Sequence, residues 1–82
     1  MTNSEVNAMY LGWFDDDRKK ATHTKIEEAF ERYVSKFGGP PTYCLCNVAD
    51  AIDYEGLEVK AVQYVRPNHF WIGSAQTDEL AA

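Results

Sequence analysis

The chain has 82 residues, thirteen acidic against eight basic side chains, and a formal net charge of −5. This length sets a single domain spanning 1–82 that buries about 60% of its unfolded surface, and the negative charge disfavours non-specific binding to nucleic acid or anionic lipid. Four Phe, five Tyr and two Trp beside a charged fraction of 26% exclude the disordered and fibrous classes.

The charge is uneven. Acids and bases balance between Asp15 and Lys36, whereas from Gly38 onward Asp50, Asp53, Glu55, Glu58, Asp78 and Glu79 face only Lys60 and Arg66. Such an acidic flank either meets a basic partner or serves as solvated surface. The longest near-continuous apolar stretch, Ala8 to Phe14, is too short to span a bilayer, and no signal-type start precedes it, so a soluble, cytoplasmic protein without membrane contact is expected. Cys44 and Cys46, two apart on one strand face, sit at or beyond the disulfide limit and are expected as reduced thiols.

Residues 1–7 are polar and aperiodic and are expected to be a loose end. Ala8 to Phe14 (AMYLGWF) is apolar on both alternating sets, Met9, Leu11 and Trp13 on one and Tyr10 and Phe14 on the other. That pattern suits a central strand. Gly12 there marks either a bulge or room for a large aromatic opposite. Asp15 to Lys20, three acids and then three bases, is a loop.

Thr24 to Phe37 (TKIEEAFERYVSKF) is the most legible element. Ile26, Ala29, Phe30, Tyr33, Val34 and Phe37 follow the helical period, and Thr24 with Glu27 matches a capping box. Glu27 and Glu28 early and Lys36 late complement the helix dipole. Gly38-Gly39-Pro40-Pro41 stops the helix.

Thr42 to Val48 (TYCLCNV) reads as the second strand, parallel to the first across the helix. Ala49 to Gly56 is ambiguous, with room for one helical turn. Leu57 to Val65 begins as a half-exposed strand, Leu57, Val59 and Ala61 inward and Glu58 and Lys60 outward. Arg66-Pro67-Asn68-His69 has proline and asparagine at the centre of a β-turn, from which Phe70 to Gly73 returns as an antiparallel strand. Residues 74–82 are polar and expected to fray. The fold expected is α+β (small α/β): a one-layer mixed sheet of about four strands in order β-α-β-β-β, with the main helix on one face.

Two surfaces could carry function. Asp15, Asp17 and Asp50 follow parallel strands at their carboxyl ends, where clustered carboxylates could hold Mg²⁺ for a hydrolase or nuclease. The order strand, acidic loop, basic run, helix resembles that of the small CRISPR-associated ferredoxin-like nucleases, whose first strand ends in an aspartate. The resemblance stops with that stretch, because the later chain has no second long helix, and no activity follows from it. Cys44, Cys46, His23 and His69 could ligate zinc, but their spacing matches no common zinc signature.

The second surface follows from the helix covering one sheet face only. Some of Tyr10, Phe14, Tyr43, Tyr64 and Trp71 should lie on the other face, and the turn from Arg66 through His69 to Trp71 has the mixed chemistry of a recognition loop. Tyr10, Tyr64, Arg66, His69 and Trp71 are therefore the candidate binding residues. Base stacking on such a platform is disfavoured by the charge. The expected function is a small acidic protein-interaction module of adaptor or inhibitor type, without catalysis or cofactor, that binds a protein partner and self-associates as a homodimer.

Overall fold

The computed structural model describes residues 10–74. The ends expected to be loose, 1–7 and 74–82, lie outside that range apart from Ser74, as do Ala8 and Met9. The elements in chain order are β1 (Tyr10–Phe14), α1 (Thr22–Phe37), β2 (Tyr43–Cys46), a short 3₁₀ turn (Val48–Asp50), β3 (Glu58–Ala61) and β4 (His69–Gly73). One helix packs on a four-stranded mixed sheet of spatial order β1-β4-β2-β3, the small α+β fold expected. No helix among the described residues is long and apolar enough to cross a membrane.

β4 runs antiparallel to both β1 and β2, and β3 runs parallel to β2. The first and second strands are therefore parallel, as expected, but β4 lies between them. Two expectations are corrected by this. β1, read as central because both its residue sets are apolar, is an edge strand. The central place goes to β4, whose Phe70 and Ile72 are completely buried. Nor do β3 and β4 form a hairpin: residues 62–68 cross the end of β2 instead, tied to it by the Val62 amide donating to the Cys46 carbonyl at 2.8 Å. The β-turn itself forms as read, with the His69 amide donating to the Arg66 carbonyl at 3.1 Å and Asn68 at φ 68°, which is type II geometry.

The helix begins three residues earlier than its capping box suggests. Its N-cap is Ala21, extended and without a side-chain cap bond, so Thr24 and Glu27 form no box and the first turn holds no acid. The Ala21 carbonyl already accepts from the amides of Thr24 and Lys25, at 3.0 and 3.2 Å, and this starts the helix upstream. The far end is as expected, with Gly38 at φ 85° donating to the Val34 carbonyl and Lys36 in the last turn.

Ile26, Ala29 and Tyr33 form the buried line of α1, with Phe30 and Phe37 partly buried beside it. Val34, expected in the stripe, is 38% exposed, and Ala61, expected inward, is exposed too. The buried side of the helix is turned toward Lys25, which is only 5% exposed. Facing it, Leu11, Ile72, Cys44 and Val59 align across the sheet, followed by Trp13, Phe70 and Cys46. Burying Ile26, Phe70 and Ile72 completely contributes about 1.5–3 kcal/mol each.

Of the ambiguous segment only Ala49 and Asp50 are helical, in the 3₁₀ turn Val48–Asp50 capped by Asn47, whose Oδ1 accepts from the Ala49 amide at 2.9 Å. The chain then passes along the helix side of the sheet. There Tyr54 stacks on His23 at 4.8 Å and on Phe30 at 6.1 Å between ring centroids, so this crossover shares the covering of that face with α1.

Asn68 joins these parts. Its amide donates to the buried Asp50 carboxylate at 2.8 Å, its carbonyl accepts from the Asp15 amide at 3.0 Å, and its side-chain Oδ1 accepts from Lys25 Nζ at 3.1 Å. The variant Asn68→Gly keeps the left-handed turn and removes the amide oxygen that meets Lys25. Urea unfolding is expected to show a loss of about 1–3 kcal/mol, the cost of an unsatisfied buried donor, with Lys25→Met in the same chain recovering most of it. An Asn68→Gly variant as stable as the parent would show that the Lys25 bond contributes nothing.

Candidate interaction surface on the open sheet face

Strand alternation sends Phe70, Ile72, Cys44 and Cys46 toward the helix and the intervening residues to the other side. Register arranges that open face in rows. Tyr10, Gly73, Tyr43 and Glu58 form one, Gly12, Trp71, Leu45 and Lys60 the next, and Phe14 with His69 a third. Some of five aromatics were expected on the uncovered side, and all five are there or beside it: Tyr10, Phe14, Tyr64 and Trp71 are 45%, 57%, 77% and 40% exposed, and Tyr43 is half-buried.

The two glycines let the rings lie against the sheet. A Cβ on Gly73 would fall 2.5 Å from the Tyr43 hydroxyl oxygen and 3.0 Å from Tyr10 Cβ, so the Tyr43 ring lies across the bare backbone there. A Cβ on Gly12 would lie 3.8 Å from the Trp71 ring, an ordinary contact; room for the aromatic, not a bulge, is what Gly12 provides. Trp71 in turn meets Tyr10 at 5.2 Å between centroids, and Phe14 meets His69 at 4.6 Å.

Tyr10, Tyr43, Leu45, Tyr64 and Trp71 line a shallow depression of about 310 Å³. Burial first, and then the neighbouring Tyr10 and Tyr64, push the Tyr43 phenol above its usual range, which places the three tyrosines close together. Of the candidate binding residues, Tyr10, Tyr64 and Trp71 are thus brought together. His69 lies on the same face beside Phe14, and Arg66 is exposed in the turn, outside the lining. Leu45 was not singled out from the sequence, although it shares the alternating set of Tyr43.

The carboxylates of the metal reading are engaged in turns. Asp15 accepts from the Asp17 amide and from Lys20 Nζ, both at 3.0 Å, while Asp17 accepts from the Lys19 amide at 2.9 Å and Asp50 from Asn68. The Asp17 amide and then Lys20 hold the Asp15 carboxyl below its usual range, and bonds to Glu28 and Asp15 hold Lys20 above its own. Among the described residues no three His, Cys, Asp or Glu side chains are grouped so as to hold a metal ion. Asp15, Asp17 and Asp50 therefore make no common ligand set. The buried Lys25 and the hub at Asn68 were missed; the signal for Lys25 was its place four residues before Ala29 and eight before Tyr33.

Cys44 and Cys46 are free and buried, and His23 and His69 pair with aromatic rings rather than with the thiols. Burial, with smaller effects of Cys46 and Asp50, pushes the Cys44 thiol up to about 12, and burial with Asp50 raises Cys46. Both thiols should resist a disulfide reagent at neutral pH in the native state and react once urea is added. A folded state that holds these protons more tightly than the unfolded chain also loses stability as pH rises above the ordinary thiol range of about 8.5. Rapid native labelling, or stability unchanged between neutral and alkaline pH, would contradict this.

The glycine beneath Tyr43 gives a second check. In Gly73→Ala the Tyr43 ring has to swing away, so the aromatic near-UV circular dichroism should change while the far-UV spectrum keeps its shape. An unchanged near-UV spectrum would place the ring elsewhere.

No protein-family model matches this chain, and comparison with curated proteins and with solved structures finds no match in either.

Proposed function

We propose that the protein is a non-catalytic interaction module that docks a partner protein on the open sheet face and joins a second copy of itself through the β1 edge. The observation behind the docking half is the aromatic depression formed, among the described residues, by Tyr10, Tyr43, Leu45, Tyr64 and Trp71. Contiguous exposed apolar surface of this kind is characteristic of interfaces, and Tyr and Trp are enriched there. The carboxylates and thiols favour no competing chemistry, since the former cap turns and the latter are buried in the core. Reduced thiols suit a cytoplasmic compartment. Glu27, Glu31, Asp53 and Glu55 are exposed away from the depression and give a partner of basic character a favourable approach.

The self-association half rests on a contrast between the two edge strands. β3 carries exposed Glu58 and Lys60, a usual guard against edge-to-edge pairing, whereas β1 from Tyr10 to Phe14 has no charged residue. Two copies of β1 would pair antiparallel about Gly12 and extend the sheet.

Two measurements test the halves separately. Sedimentation over a range of concentrations should show a monomer–dimer equilibrium that Gly12→Lys abolishes; a monomer at every concentration would end the dimer reading. A photo-crosslinking residue at position 64 should capture protein partners in the source cell that one at Arg32, on the exposed side of α1, does not. Equal or absent capture would end the docking reading.

A further inference from the structure

We draw no further inference here: the strongest candidate, the hollow that Asp53, Tyr54 and Glu55 line between the crossover after β2 and the start of β3, rests on a cluster of carboxylates around one aromatic ring, with no second observation among the described residues that points to a ligand.

Discussion

The backbone of one residue, Asn68, holds the carboxyl edge of the sheet together. Its left-handed φ of 68° directs its amide to Asp50 and its carbonyl to Asp15, and its side chain reaches the buried Lys25. Four segments distant in sequence meet there: the end of β1, the first turn of α1, the 3₁₀ turn and the entry to β4. Asparagine is among the few residues that tolerate this conformation and still offer an acceptor. Glycine would keep only the geometry, and alanine neither property well. The carboxylates that looked like ligands are in this way part of the scaffold.

That edge leaves the open face free of structural duties. α1 and the crossover after β2 cover the other side, where the apolar rows Leu11–Ile72–Cys44–Val59 and Trp13–Phe70–Cys46 are sealed. On the uncovered side each of the first two rows has one position without a side chain, Gly73 or Gly12, and a neighbouring ring occupies the space. Aromatic cover of a strand glycine holds the ring flat and supplies the packing that the glycine lacks. The surface is consequently broad and stiff.

The helix and its left-handed stop at Gly38 were legible in the sequence because each depends on local periodicity or local dihedral preference. Alternation grouped Tyr10 with Phe14 and Tyr43 with Leu45, but which set faces α1 depended on register, which the pattern alone does not give. Strand order was not legible. It depends on which strand has the most apolar surface to bury on both edges, and β1 looked as suitable as β4 until Phe70 and Ile72 were placed. The start of α1 was misread because Thr24 and Glu27 have the right spacing for a box, whereas the Ala21 carbonyl had already captured the amides of Thr24 and Lys25. Lys25 and Asn68 were missed for a related reason: their bond spans the chain and leaves no mark on either segment's pattern.

The middle strand β4 is also the last of the four described strands to be synthesised. Until residues 69–73 are available, β1 has no partner among the described strands, and β2 with β3 offers a second edge that β4 covers. A nascent chain therefore carries two unpaired strand edges until β4 is made, a state in which pairing with the wrong neighbour competes with completion of the fold. Loss of the strand would not trim the molecule at its border; it would divide the sheet into two parts with no strand-to-strand backbone bond between them among the described residues.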